Sequence, residues 1–357
     1  MRSHYPGHNT TDLISVIIIF YNAQAFIQQA VKSVQNQTYP GWEIIFVDDG
    51  STDDSPAIAS QYERLDPQRF RLLQHSDSKN HGTAASRNLG IKAARGEFIA
   101  FLDADDLYAE NRLDRHLTMF KQFPKAVMVQ SLLYYSHARE GGETYDIPET
   151  PVIDAQMFLF QPPDLLELLV GTNGATCPGC CSYTLRTRAV LDVGGIDPSF
   201  KDAYEDQVLL AKIYLYGPVV YLQEYLAWYR QHEDSLLHRM NRSGLYKPGH
   251  AHPSRRAFLE WLDRYLAQHG AEKVELRQRV SYWLHIETSL FARLKGDWPN
   301  ALAPLLRLFS HHLLPEGATQ RLALWWGQKK MIHARHRVHK ISSDLIQKRK
   351  QETKIPR

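Results

Sequence analysis

The stretch ISVIIIFYNAQAFIQQAVKSVQNQTYPGWEIIFVDDG, Ile14 to Gly50, holds the pattern on which the fold turns. Ile14–Phe20 is a continuous, mostly β-branched run, the composition of a strand buried on both faces of a parallel sheet. Phe26, Ala30, Val31 and Val34 then follow at helical spacing. WEIIFVDDG is a second buried strand that stops on Asp48, Asp49 and Gly50. Outward from this unit the alternation continues. STDDSPAIASQYERL predicts a helix with Ser51, Thr52 or Asp53 as N-cap. RFRLLQH predicts a third strand, GTAASRNLGIKAA a helix and EFIAFLD a fourth strand. Four alternations within roughly 100 residues predict an α/β fold, a Rossmann-like, mostly parallel sheet with helices on both faces. Ligands of such sheets bind beyond the carboxyl ends of the strands.

The acids gather at those ends. In EFIAFLDADDLY the apolar run stops on Asp103, Asp105 and Asp106, three carboxylates that repel one another. Asp103 and Asp105 flank one residue and together offer oxygen ligands to a hard divalent cation, Mn²⁺ or Mg²⁺, of the kind that carries a diphosphate. Asp106 is expected as the N-cap of a helix in LYAENRLDRHLTMF.

Composition narrows the class. The chain has 357 residues, 43% of them hydrophobic and 23% charged, ordinary values for a globular protein with room for two domains. No apolar run reaches the length of a bilayer span. The start, MRSHYPGHNTTDL, lacks an apolar signal core, and the three cysteines, Cys177, Cys180 and Cys181, form no disulfide framework. A cytoplasmic location is expected. The net charge of +3 is unevenly spread: from Gly327 onward ten Lys and Arg face two acids. That end suits either contact with a negative surface or a solvated helical face. Nucleic acid is not an expected partner.

In combination, SVIIIFYNAQAFIQQAVKSVQNQTYPGWEIIFVDDGSTDDS, GTAASRNLGIKAARGEFIAFLDADD and the later GGID and YEDQVLLAKI resemble a family 2 glycosyltransferase with the GT-A fold, over about residues 13–235. The resemblance implies an inverting enzyme that moves one sugar from a nucleotide diphosphate, foremost a UDP-sugar, to an acceptor hydroxyl. It implies that Phe20, Tyr21 and Asn22 lie near base and ribose, although Ile19 stands where the family commonly has proline. Asp49, with Asp48 beside it, takes the place of the family's nucleobase contact. A carboxylate is the natural acceptor for an imide N–H; the alternative role for both is to cap the next helix. Arg87 is placed to reach the uracil or a phosphate, or to pair with an acid of the same crevice. Asp103 and Ala104 fall at the nucleotide, and Asp103 and Asp105 at the metal.

By the same resemblance Asp206 is the general base and Glu205 supports it or touches the acceptor; without it, both read as acids placed at a helix N-terminus. LAWYRQHEDS resembles the family's closing segment, which puts Arg230 at the phosphate and His232 at the metal or diphosphate. Trp228 is either a platform for a sugar ring or a core residue. TCPGCCS lacks partners for a zinc site and is expected to shape a loop near the acceptor. The family's processive synthases carry Q-x-x-R-W and several membrane helices, which this sequence lacks, so single transfers are expected.

The expected domains are residues 1–240, with a nucleotide half at about 13–130 and an acceptor half at about 131–240, and a helical C-terminal region at 241–357 ending in a basic amphipathic tail. There, Met331, Val338 and Leu345 recur every seven residues. The tail suits peripheral contact with an anionic membrane, where a lipid-linked sugar acceptor would lie, or plain packing. The product class implied is polysaccharide, glycolipid or another cell-surface glycan. Two rivals remain at this stage. A sugar nucleotidyltransferase would carry an early Gly-rich basic loop, which IIIFYNAQAF lacks. A catalytically silent nucleotide-sugar-binding protein has no need of Asp49, Asp103, Asp105 and Asp206 together.

Overall fold

The computed structural model describes residues 12–138, 144–151, 157–172, 177–201, 203–233, 253–269 and 274–294, with positions 235, 238 and 242 between them. The chain runs β1 (Ile14–Phe20), α1 (Ile27–Gln35), β2 (Trp42–Asp48), α2 (Ser55–Leu65), β3 (Phe70–Gln74), α3 (Thr83–Ala93), β4 (Phe98–Phe101), β5 (Leu107–Tyr108) and α4 (Arg112–Gln122). It continues through β6 (Met128–Ala138), β7 (Thr144–Pro148), β8 (Met157–Phe160), α5 (Asp164–Gly171), β9 (Tyr183–Arg186), α6 (Thr187–Asp192), α7 (Glu205–Tyr216) and β10 (Val219–Gln231). Two helices follow, α8 (Pro253–His269) and α9 (Val274–Leu294).

The ten strands form one sheet in the order β3-β2-β1-β4-β9-β6-β10-β5, with β7 on β6 and β8 on β10. β1 to β4 are mutually parallel, as their apolar runs predict. β9 then enters antiparallel between β4 and β6, and β6 and β10 are again parallel. Every residue of β1 is buried because both faces are covered. One face, Val16, Ile18 and Phe20, joins a core with Ile27 and Val31 of α1 and Leu117 of α4. On the other, Ile17 meets α3 at Gly90, where an added Cβ would lie 2.5 Å from Ile17 Cγ2. Only glycine lets the helix lie this close.

The sequence places a helix directly after Asp106; the fold does not. Leu107 and Tyr108 pair antiparallel with Trp228 and Ala227 of β10, and α4 begins only at Arg112. Sheet pairing claims the backbone first, so a helix cannot start until the chain has left the sheet. Asp106 is therefore no N-cap: it is buried and its Oδ1 accepts the Arg230 backbone N–H at 3.0 Å. At α2 the N-cap is Asp54, one residue beyond the three expected, and its own side chain does not cap the helix. Asp53 Oδ1 accepts from both the backbone N–H and the Oγ–H of Ser55, the first helical residue.

The chain divides into two compact units. The first comprises residues 1–151, 155–162 and 178–233; the second comprises 152–154, 163–177 and 234–357. The second takes in α5, whose Leu165, Leu166, Leu168 and Leu169 are buried and which packs with α9. Within that unit Arg255 also pairs with the buried Glu287 at 2.6 Å. No helix among the described residues is long and apolar enough to cross a membrane. The helix expected in WPNALAPLLRLFSHHLL and the basic tail lie outside the described residues.

Candidate active site

The parallel strands β1, β2 and β4 end together, and their last residues and the turns that follow make a rim. Phe20 pairs with Asp48, and the Asp49 N–H donates to Phe20 O at 2.9 Å, which brings Tyr21 and Asn22 beside the acids of β2. Asn22 takes a left-handed backbone, φ 53°, and its Oδ1 accepts the Thr52 N–H at 2.8 Å. Tyr21 is exposed. Asp48 accepts from the Ser51 N–H and the Gln74 side-chain amide. Asp49 Oδ1 accepts from the His81 N–H at 2.8 Å and the Ser86 hydroxyl at 3.0 Å, and Oδ2 accepts from the Gly82 N–H. These donors sit at the N-terminus of α3, where unpaired N–H groups and the helix dipole favour a negative charge. Asp49 thus caps α3, rather than the helix that follows it in sequence.

The second acidic group follows β4. Asp103 receives one nitrogen of Arg87 in both carboxylate oxygens, at 2.8 and 3.1 Å. The other terminal nitrogen of Arg87 donates to Glu205 at 2.5 Å. Arg87 is 4% exposed. Burial works against its charge, but Asp103, Cys180 and Glu205 outweigh burial and hold the guanidinium firmly protonated. Asp103 itself is raised above the usual carboxylate range: burial and the neighbouring Asp105 and Glu205 exceed the help from Arg87. Asp106 is pushed well up by burial, Asp105 and Asp103.

Two positive-φ glycines, Gly194 and Gly195, turn the chain towards α7. A Cβ on Gly195 would meet Asn88 Oδ1 at 2.8 Å. Asn88 grips the next residue twice: its amide donates to Ile196 O at 2.7 Å and its Oδ1 accepts the Ile196 N–H at 3.0 Å. From the far side, the Lys212 ammonium donates to Gly195 O at 2.9 Å. Tyr204, directly before the acids, has φ 69°, a strained backbone for a bulky residue. Glu205 is buried against Arg87, while Asp206 is half-buried and its Oδ1 accepts the Gln207 N–H. Burial, with the charge of Glu205, pushes the Asp206 carboxyl up to about 7, against the pull of Arg87. A carboxylate held there can take a proton from a hydroxyl at neutral pH.

The carboxyl end of β10 completes the rim. Arg230 donates to Gln29 Oε1 at 2.7 Å and lies over the Phe26 ring. The His232 ring lies against Phe26 with centroids 4.7 Å apart and planes tilted by 38°, and its Nε2 is 2.9 Å from Asp105 Oδ2. The His232 Nδ1 is buried with no hydrogen-bond partner among the described residues.

Asp103, Asp105 and His232 are the residues expected at a metal. Their chemistry fits a divalent cation: burial and the charge of Asp105 together lift Asp103, and a cation relieves the repulsion between the two carboxylates. Their distances are not those of a closed shell. Among the described residues no group of three or more His, Cys, Asp or Glu side chains stands at metal-binding spacing, and Asp103 is occupied by Arg87.

The fold thus brings Arg87, Asp103, Glu205 and Asp206 into one network, and Asp105, Arg230 and His232 into a second beside it. Phe20, Tyr21, Asn22, Asp48 and Asp49 line the adjacent rim, and Ala104 is buried between the acids. Sequence reading took Phe26 as helix core and assigned nothing to Gln29 or Lys212. Gln29 and Arg230 lie 201 residues apart in the chain, so no local pattern announces their contact.

Residues 15–188 match the family model described as glycosyl transferase family 2. A protein of Nostoc sp., described as an uncharacterized glycosyltransferase, is 31% identical over 223 residues, covering 61% of this chain and 65% of that one. The match therefore spans just under two thirds of that relative's length. Glycosyltransferase GlyG of Streptococcus pneumoniae is 27% identical over 231 residues, 64% of this chain and 73% of that one. Among solved structures, S. aureus TarS 1-349 in complex with UDP-GlcNAc aligns with a TM-score of 0.59 at 16% identity, over 81% of this chain and 89% of that chain. That likeness is one of fold.

Proposed function

Since residues 15–188 belong to glycosyl transferase family 2, we propose that the protein is an inverting, non-processive glycosyltransferase that moves one sugar from a UDP-sugar to an acceptor hydroxyl. The observation that carries this reading is Arg87. It bridges Asp103 and Glu205, residues from the two segments that resemble the family's nucleotide and base signatures, which supports a reading with donor chemistry beside acceptor chemistry.

In this mechanism Asp206 takes the proton of the acceptor hydroxyl. The oxygen attacks the anomeric carbon from the face opposite the diphosphate, and UDP leaves with its bonding pair, so an α-linked donor gives a β-linked product. Glu205, fixed by Arg87, orients the region around the base. Asp49, Tyr21 and Asn22 receive the nucleoside, and Arg230 the phosphates. Asp103, Asp105 and His232 would hold Mn²⁺ or Mg²⁺, which when bound supplies positive charge to the departing diphosphate. The acceptor is a glycan or lipid-linked sugar of a cell-surface polysaccharide or glycolipid. The chain works in the cytoplasm, its basic C-terminal segment reaching the inner face of the membrane.

The test is a panel of nucleotide sugars headed by UDP-GlcNAc, the ligand of the TarS structure. Each is scored for protection against thermal unfolding with Mn²⁺ and with EDTA. Metal-dependent protection by UDP compounds upholds the reading; protection by none of them overturns it.

A further inference from the structure

An aromatic stack on the acceptor side of the sheet has no part in the reading above. Tyr134 of β6 stacks on Tyr225 of β10 with centroids 4.7 Å apart, and on Trp228 of β10 at 5.8 Å, each pair tilted by 25°. All three rings are half-buried. The Trp228 indole N–H donates to Asp146 Oδ2 of β7 at 2.8 Å, and the Tyr225 hydroxyl donates to the Glu149 carbonyl oxygen at 2.9 Å. Glu149 Oε2 accepts the Leu133 N–H, which fixes that side chain beside Tyr134. Asp146 is exposed and Glu149 half-buried, so the stack carries at its edge polar groups that a purely apolar cluster would not need.

The position of the stack follows from strand and helix geometry. The Tyr214 hydroxyl of α7 donates to Gln130 Oε1 of β6, so the even-numbered side chains of β6 face α7, Tyr134 among them. Four residues along β6, from Gln130 to Tyr134, climb about 13 Å towards the carboxyl rim. Gly217 and Pro218 reverse the chain between α7 and β10, so α7 runs antiparallel to the parallel pair β6 and β10. From Tyr214 back to Asp206, eight helical residues climb about 12 Å in the same direction. The stack and Asp206 therefore stand at the same height on the same face of the sheet.

We propose that Tyr134, Tyr225 and Trp228, with Asp146 and Glu149, form the subsite that holds the acceptor, and that the acceptor part held there is a saccharide ring. Its C–H face lies against the aromatic rings and its hydroxyls donate to the two carboxylates. An acyl chain would cover those carboxylates without offering them a further donor, and a phosphate would be repelled by them. This assignment rests on the glycosyl-transfer reading only for the word acceptor; the saccharide site stands by itself.

The test uses the full chain, ¹⁵N-labelled on indole. Of its seven tryptophans, Trp228 is assigned as the signal lost in Trp228→Phe. Cellotetraose and chitotetraose, whose equatorial substituents leave C–H faces open, are titrated in, and UDP with Mn²⁺ is titrated separately. The expected result is a saturable shift of the Trp228 signal by at least one saccharide. Its apparent affinity falls about tenfold in Tyr134→Ala, with UDP affinity within twofold of the parent. A Trp228 signal unmoved by both saccharides overturns the proposal, and so does an unchanged affinity in Tyr134→Ala. If Tyr134→Ala fails to fold, the titration of the parent chain decides. A chain that binds saccharide at Trp228 but not UDP upholds this site and sinks the donor reading instead.

Discussion

The acids that end β2 and the acids that follow β4 are alike in residue type and in their place at the carboxyl rim, yet their surroundings differ. Asp48, Asp49 and Asp53 accept hydrogen bonds from backbone N–H groups and neutral side chains within the turns and the N-terminus of α3. Asp103, Asp105 and Asp106 instead crowd one another and meet Arg87, His232, the Cys181 thiol and the Arg230 backbone N–H. Burial and mutual repulsion raise Asp103 and Asp106, whereas the Asp53 carboxyl is held below its ordinary value, its hydrogen bonds exceeding the cost of burial. The first group is satisfied by the fold itself. The second holds negative charge that the fold concentrates and only partly answers, as a site awaiting a cationic ligand does.

The sharpest way to break this contrast is at the base beside the second group. Asp206→Asn should lower transfer by about 10²–10⁴-fold, measured as product formed per unit time, with UDP affinity unchanged. The parent rate should rise with pH and level off above about 7, falling about tenfold per unit below it, because only the ionised form accepts a proton. Stability should move the other way. The folded-state pKa of Asp206 lies above that of a free carboxyl, so its ionisation opposes the fold. Stability from this group is full below about pH 4 and lost as pH rises through 7. Asp206→Asn should therefore melt higher than the parent at pH 8; an equal or lower melting temperature refutes the crowding.

Next in size is Arg87→Met. It leaves Asp103 and Glu205 without their shared cation, and unfolding in urea should show a loss of about 3–5 kcal/mol. A loss under 1 kcal/mol would mean that the cluster is not held by this ion pair. A smaller effect belongs to Asp105→Ala, which should weaken UDP binding in Mn²⁺ by at least tenfold, with the difference abolished by EDTA in calorimetric titration. The smallest belongs to the satisfied group. Asp49→Asn keeps one acceptor for the α3 N-terminus and loses the charge, so stability should drop by about 1–2 kcal/mol. If Asp49→Asn cost more than Arg87→Met, the contrast between the two groups would be inverted.

Much of this was legible in the residues. The apolar runs of β1, β2 and β4 could lie only in a sheet covered on both faces, and those of β2 and β4 stopped on acids. The turn chemistry after β2 was half legible: the helix α2 was read, but its N-cap is Asp54 rather than Asp53, and the tie from Asp49 to α3 spans thirty-odd residues and leaves no local signature. Asp106 was misplaced because a two-residue strand carries no period, and pairing with β10 overrode a good capping sequence. Trp228 was left between core and platform, since one strand shows which residues alternate but not which neighbours flank them.

By itself the sequence determined the kind of fold, its ligand-binding rim and the chemistry of the acids on it, because periodicity and residue type act locally. Only the tertiary structure decided which charges meet. Arg87 could have turned to a base, a phosphate or an acid; packing α3 against β1, β2 and α7 gives it Asp103 and Glu205 together. Electrostatic energy depends on distance in space, and residues 118 positions apart acquire that distance only when the chain has folded.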